Sequence, residues 1–496
     1  MTYPTYQNLI GGQWVAAASG KTILNLNPAD HSDVIGAFPS SHAEDVALAV
    51  AAAKKAFATW RLIPAPKRAE ILLRAGGNLV QNKEKYARDM TREMGKVLAE
   101  TRGDVQEAID EAFYVAGEGR RLFGITTPSE LQNKFAMSVR MPVGVVGLIT
   151  PWNFPMAIPS WKLFPALVAG NTCVIKPATD TPLSTYNLVQ ALVDGGLPPG
   201  VVNIVSGTGS AAGAALVEHP DVRAISFTGS SAVGSLVAQR AAATFKQVSL
   251  EMGGKNAQIV LDDANLDLAL DGALWGAFGT TGQRCTATSR ILLQKGIAAE
   301  FTSKFVARAR KLKIGNGLDE SVEVGPQVNA NQIETSEKYV RISQDEGAQL
   351  LCGGHALTTG AYAHGTFFEP TVLAGVTPTM RIAREEVFGP VVCMIEFSTF
   401  DEAVEIANSI DYGLSTSVYT RDVNRAFTAI RDLEAGITYI NAPTIGAEVH
   451  LPFGGVKHTG NGHREGLGAL DFFTTWKAVY VDYSDKLQRA QIDNAE

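Results

Sequence analysis

The chain has 496 residues, of which 46% are hydrophobic and 19% charged, and carries a net charge of −7. That length exceeds what one core organises and predicts two large domains, while scattered lysines and arginines in a mildly acidic chain argue against nucleic acid and leave small-molecule chemistry. No apolar run could span a bilayer, no basic start precedes an apolar block at the amino terminus, and the four cysteines form neither a C-x-x-C pair nor a metal-spaced cluster, so the expectation is a cytoplasmic protein with no membrane partner, no disulfide framework and no metal.

In chain order, the first strongly helical segment is residues 43–60, where Val46, Val50, Ala53 and Phe57 fall on one stripe at helical spacing. More helix follows to about residue 119, so the leading hundred residues read as mainly helical. Residues 131–142 then alternate apolar and polar positions, as does the end of the chain around 469–483, and the two are expected to pair as a small β unit. From residue 143 continuous apolar runs (VGVVGLIT, NTCVIKPA, VVNIVSG, AISFTGS, KQVSLEMGG) alternate with helical stretches. That pattern is a parallel sheet covered on both faces, and a doubly wound, Rossmann-like α/β domain is its natural reading. A second alternation, with strands at RILLQ, FFEPTVLAGV, VVCMIEF and ITYINA, predicts a second α/β domain to about residue 452.

Two glycine turns end strands of the first sheet, SGTGSAAG at 206–213 and FTGSSAVG at 227–234. A glycine turn opening onto a helix lets backbone N–H groups approach a phosphate, and it also serves as a plain tight connection. Repetition at the carboxyl ends of parallel strands favours a nucleotide crevice. Lys176, ending another such strand, is placed to reach a ribose hydroxyl or phosphate or else to sit solvated at the surface. Of the four cysteines, Cys173, Cys352 and Cys393 lie in apolar runs that predict burial, whereas Cys285 follows polar, flexible residues and adjoins Arg284, whose charge is expected to favour the thiolate.

Seven motifs then occur in one order: PWNFP (151–155), VIKPA (174–178), FTGS (227–230), LEMGGKN (250–256), GQRC (282–285), EEVFGPV (385–391) and PFGGVK (452–457). Together they resemble the aldehyde dehydrogenase superfamily over nearly the whole chain, with GQRCTA and NAPTIGAEVHLPFGG closest to its α-ketoglutaric and aminoadipic semialdehyde groups. The resemblance implies a cofactor-binding domain (1–121 and 143–252), a catalytic domain (253–468) and an oligomerisation element (122–142 and 469–496) that joins chains into homodimers or homotetramers. It implies Cys285 as nucleophile, Asn153 as side-chain donor of an oxyanion hole and Glu251 as general base, residue types that suit addition of a thiolate to a carbonyl and hydrolysis of the resulting thioester. Lys162 and Glu465 match positions that form a proton relay in some relatives. Around an NAD or NADP cofactor it implies Trp152, Lys176, Gly207, Gly229 and Ser230 beside adenosine and pyrophosphate, and Glu386 and Phe388 beside the nicotinamide ribose and ring. Thr179 stands where NAD-preferring relatives often carry a glutamate, so a repulsive charge against a 2′-phosphate is missing and NADP is expected to be tolerated or preferred.

For the substrate, Arg284 is expected either to bind a distal carboxylate or to form a structural ion pair, and Phe154 and Trp161 to line an apolar tunnel. An α-ketoglutaric semialdehyde is the first expectation, with aminoadipic, succinic and uncharged aldehydes behind it. A nucleotide-binding scaffold without turnover is the alternative of a different class, and the joint presence of Asn153, Glu251 and Cys285 argues against it.

Overall fold

A computed structural model describes residues 3–493. Its first sheet has seven strands, in the spatial order Gln247–Glu251, Val222–Thr228, Val145–Ile149, Thr172–Lys176, Val202–Ile204, Asn8–Ile10 and Gln13–Val15. The first five are parallel and the last two add on antiparallel. Alternation along the strands sends side chains to two cores. Val146, Leu148, Cys173 and Ile175 pack with the helices Ala65–Met94, Leu98–Glu118, Ala157–Ala169 and Pro182–Asp194. Val145, Ile149 and Val174 pack on the opposite face with Val46, Val50 and Ala53 of the helix Ala43–Trp60 and with Val237 of Ser231–Ala242. Burial on both faces is why these strands read as unbroken apolar runs.

A second seven-stranded sheet runs Gln349–Cys352, Thr371–Ala374, Val391–Phe397, Thr288–Gln294, Asn256–Val260, Ser415–Tyr419 and Ile437–Ile440, parallel except for its first strand. All seven strands fall between residues 256 and 440. The third sheet is antiparallel: Thr474–Asp482 pairs along its length with Lys134–Pro142, which pairs with Ile125–Pro128. The expected pairing of the chain end with residues 131–142 is therefore present; of the ranges assigned above, residues 1–2 and 494–496 lie outside the described residues.

The leading segment differs from the expectation. Before the first helix the chain forms four strands, Asn8–Ile10, Gln13–Val15, Thr22–Asn27 and Asp30–Pro39. The first two are three residues each, too short for an alternation to register in sequence, and the last two form a hairpin interrupted by register shifts. Helix dominates only from residue 43. Among the described residues no helix is long and apolar enough to cross a membrane.

Candidate active site

Cys285 owes its position to an uncommon piece of backbone. The helix Leu266–Phe278 stops at Gly279, and a tight turn follows in which Thr280 and Thr281 are left-handed, with φ of 52° and 56°. β-Branched residues enter that region only when their surroundings hold them there. Here the Thr280 N–H donates to both carboxylate oxygens of Glu100 at 2.8 Å, and the Thr281 hydroxyl donates to the Gly325 carbonyl at 2.9 Å. At Gly282, φ is 68° and a side chain would run into the Gly389 backbone, so only glycine lets this turn press so close to the EEVFGPV loop. The Cys285 carbonyl is then fixed by the Asn256 amide at 2.7 Å.

Three groups converge on this turn. Asn153 lies between the strand Val145–Ile149 and the helix Ala157–Ala169, is buried, and donates one amide hydrogen to the Gln283 carbonyl at 3.1 Å. Its second amide hydrogen has no such commitment. Glu251 ends its strand with both carboxylate oxygens buried and without a hydrogen-bond partner. Gly454 makes room for it, since a side chain there would strike the Glu251 carboxylate. Behind it, buried Lys162 donates to the Ser226 hydroxyl at 2.9 Å and pairs with Glu465.

Two cavities meet at Cys285. One, of about 400 Å³, is lined by Phe154, Trp161, Glu251, Arg284, Cys285 and Glu465 among others. The other, of about 210 Å³, is lined by Trp152, Asn153, Gly229, Ser230, Glu386 and Phe388, and shares Ile158, Thr228, Met252 and Cys285 with the first. A larger cavity of about 690 Å³ beside Tyr6, Trp14 and Tyr186 contains none of these residues. Size alone does not single out a site; a thiol and an unpartnered buried carboxylate lining one cavity make this one the candidate.

The smaller cavity suits a nicotinamide cofactor. Ser230 caps the helix Ser231–Ala242, its hydroxyl accepting from the Val233 N–H at 3.4 Å, so the helix amino terminus faces the turn as a phosphate requires. Phe388 meets Trp152 edge-on at 5.2 Å, and Glu386 accepts from the Gly254 N–H at 3.0 Å. Lys176, Thr179 and Gly207 gather at a separate spot, outside this cavity: the Lys176 ammonium (3.3 Å) and the Thr179 hydroxyl (3.4 Å) both donate to the Gly207 carbonyl.

The electrostatics correct one expectation. Burial, with smaller contributions from Glu386 and Glu251, pushes the Cys285 thiol up to about 12. Arg284 does not activate it, because its guanidinium turns to Glu100 (3.0 Å) and to the Thr280 hydroxyl (2.8 Å). Burial likewise raises Glu386 to about 7 and, with Glu465 beside it, lifts Glu251 well above the usual carboxylate range. Burial lowers Lys176 to about 8. Burial thus disfavours the charged form of both Cys285 and Glu251.

The tunnel is also less apolar than Phe154 and Trp161 imply. Helix Leu98–Glu118 sends Glu100, Asp104 and Glu107 into it. Lys96 pairs with Asp104 at 2.6 Å and sits 3.6 Å above the Phe154 ring, so that ring is committed to a cation. None of these acids stood out in the sequence, although their helical spacing was available as a signal. Among the described residues no cluster of His, Cys, Asp or Glu could hold a metal ion.

The aldehyde dehydrogenase family model matches residues 14–479. The chain belongs to the aldehyde dehydrogenase family. It is 44% identical to an α-ketoglutaric semialdehyde dehydrogenase of Bacillus subtilis (strain 168), over 96% of this chain and 98% of that one. It is 43% identical to an α-ketoglutarate semialdehyde dehydrogenase of Haloferax volcanii, over 97% and 100%. The crystal structure of an NAD-dependent aldehyde dehydrogenase from Sinorhizobium meliloti superposes with a TM-score of 0.95 at 38% identity, covering 98% of this chain and 96% of that one. The protein is accordingly an NAD(P)-dependent aldehyde dehydrogenase acting on a small-molecule aldehyde, built on a Rossmann-like α/β fold.

Proposed function

We propose that the enzyme oxidises a carboxylated semialdehyde, α-ketoglutaric semialdehyde first, with Cys285 as nucleophile, Asn153 as oxyanion donor and Glu251 as general base. The observation that carries this reading is the meeting of the two cavities at Cys285, with an uncommitted amide hydrogen on one side and an unpartnered carboxylate on the other. As the Cys285 sulfur adds to the aldehyde carbon its thiol proton passes to cavity water, and the new oxyanion takes its hydrogen bonds from the Asn153 amide and the Cys285 N–H. Bound NAD or NADP supplies the acceptor for the hydride leaving that carbon. Glu251, once ionised, draws a proton from the water that cleaves the Cys285 thioester. Lys162 and Glu465 stand behind it as the first proton relay.

Trp152, Gly229, Ser230, Glu386 and Phe388 would hold the pyrophosphate and nicotinamide half of the cofactor, and Lys176, Thr179 and Gly207 the adenosine ribose. The first sheet with its helices (1–121 and 143–252) serves as the cofactor domain, and residues 253–468 as the catalytic domain. The three-stranded sheet from 122–142 and 469–496 joins chains into a homodimer or homotetramer. Its exposed Ile125, Phe135, Trp476 and Tyr480 support that assignment, which sedimentation of the full chain checks, a monomer rejecting it.

The polarity of the adenosine end sets the cofactor. Thr179→Glu places a carboxylate where a 2′-phosphate would lie, and like charges at close range cost roughly 1–4 kcal/mol. The expected result is loss of NADP-dependent kcat/KM by about tenfold or more, with NAD-dependent kcat/KM much less affected. Equal effects on the two cofactors would move the ribose elsewhere.

Substrate choice turns on Arg284. Its side chain is 12% exposed and lines the cavity of about 400 Å³, but Glu100 already takes one of its donor edges. The proposal therefore requires the remaining edge to meet a distal carboxylate. Arg284→Met removes charge-assisted hydrogen bonds of about 1.5–3 kcal/mol, so kcat/KM for carboxylated semialdehydes falls by roughly ten- to a hundredfold while an uncharged aldehyde of equal length changes little. A parallel loss on both substrate types in Arg284→Met rejects the assignment. The acidic wall of Glu100, Asp104 and Glu107 favours one second reading, an amino-acid semialdehyde such as aminoadipic semialdehyde, whose ammonium would face those carboxylates. Relative kcat/KM of the parent enzyme on α-ketoglutaric and aminoadipic semialdehydes ranks the two.

A further inference from the structure

Attack by Cys285 needs two groups from distant parts of the chain at a fixed separation. One is the sulfur, carried by the turn that follows helix Leu266–Phe278; the other is the Asn153 amide, carried by the segment leading into helix Ala157–Ala169. A misplacement of about 1 Å between reacting groups is enough to cost roughly a hundredfold in rate. The turn is poorly suited to holding itself still, since Thr280 and Thr281 are both β-branched and both left-handed.

Helix Leu98–Glu118 reaches both groups from one face. Asp104 serves the Asn153 side: one carboxylate oxygen accepts from the Ala157 N–H at 2.7 Å, and the other from Lys96 at 2.6 Å, whose ammonium lies 3.6 Å from the centre of the Phe154 ring. Glu100, one helical turn earlier, serves the nucleophile side. Its two oxygens share the Thr280 N–H at 2.8 Å, and they accept from the Thr280 hydroxyl at 3.2 Å and from Arg284 at 3.0 Å. Arg284 closes the ring by donating to the same hydroxyl at 2.8 Å. Gly279 permits this approach, for a side chain there would crowd the Glu100 carboxylate at 3.0 Å. All of these contacts fall on residues just upstream of the thiol.

We propose that Glu100 is the positioning residue of the nucleophile. It clamps the strained turn to a helix that Asp104 ties to the Asn153 segment, and so sets the sulfur against the oxyanion donor. The reach of the carboxylate to Thr280 does this; its charge serves the pairing with Arg284. In this role Glu100 touches neither substrate nor cofactor and acts through Cys285 on any aldehyde, charged or not.

The inference rests on Cys285 being the nucleophile, and two conservative variants of the full-length enzyme test it separately. Glu100→Asp keeps the charge but draws the carboxylate back from Thr280 by one methylene. Glu100→Gln keeps the length, so its amide oxygen can still accept from the Thr280 N–H and its NH2 can donate to the Thr280 hydroxyl, while the charge is gone. Propanal has no carboxylate and leaves Arg284 out of substrate binding. With enzyme in excess over propanal and cofactor saturating, the single-turnover rate of reduced-cofactor formation should fall by about ten- to a hundredfold in Glu100→Asp. It should stay within about threefold of the parent in Glu100→Gln, with cofactor affinity, read by tryptophan quenching, unchanged in both. A Glu100→Asp rate within twofold of the parent overturns the inference. So does a Glu100→Gln loss equal to or larger than that of Glu100→Asp, which would make the charge or the general fold the cause. Parent-like turnover in Cys285→Ala would instead overturn the nucleophile assignment, and this inference with it.

Discussion

Replacing Cys285 by Ala is expected to lower aldehyde oxidation by about four orders of magnitude or more, the scale on which a covalent nucleophile contributes, while leaving cofactor binding intact. The two effects separate because the thiol stands where the cavities meet, whereas the groups suited to hold the cofactor are the Ser230 helix end, the Trp152–Phe388 pair and the Lys176–Thr179–Gly207 cluster. Alanine also leaves the turn itself in place, for the Thr280 and Thr281 backbone is held by Glu100 and Gly325 rather than by sulfur. Steady-state rates on a semialdehyde and quenching of tryptophan fluorescence by NAD and NADP measure the two halves. Turnover at the parent rate would remove Cys285 from the mechanism, and lost cofactor binding would mean that the substitution damages the fold.

Much of this architecture was legible because it is periodic or punctuated. Strands buried on both faces read as unbroken apolar runs, and the motifs holding Asn153, Glu251 and Cys285 lie in loops at strand and helix ends, where side chains are placed by local turns. What escaped was set by tertiary pairing. The four amino-terminal strands are short or irregular, and the first two are strands only because Val202–Ile204 offers an edge to pair with. Arg284 beside Cys285 read as a thiolate-stabilising charge; its direction is decided by Glu100, nearly two hundred positions away in the chain. Glu100, Asp104 and Glu107 share one helical face, a signal present in the sequence, but an ordinary solvated helix flank has the same spacing, and spacing alone does not say that this one turns inward. The difference lies in what the helix packs against.

The second large effect is a matter of pH. Burial and the neighbouring Glu465 hold the Glu251 carboxyl well above its usual range, so its ionised form, the one able to act on water, gives way to the protonated form at a higher pH than in an ordinary carboxylate. Because the active form is the deprotonated one, thioester hydrolysis should accelerate as pH rises, by about tenfold per unit until the carboxyl titrates, and fall away on acidification. Glu251→Gln removes that limb. Cys285 and Asn153 remain, so one equivalent of reduced cofactor should still appear in a burst, followed by turnover slower by about a hundred- to ten-thousandfold and flat across the same pH range. Stopped-flow absorbance of the reduced cofactor, followed from mildly acidic to mildly alkaline pH, reads burst and steady state in one trace. A burst that vanishes with the carboxylate would place Glu251 earlier, as the group that takes the Cys285 proton. That result has a physical basis too, for a thiol pushed up to about 12 cannot attack without losing its proton, and Glu251 lines the same cavity. A steady-state rate and pH limb like the parent's would exclude both roles and return the search to the other cavity carboxylates.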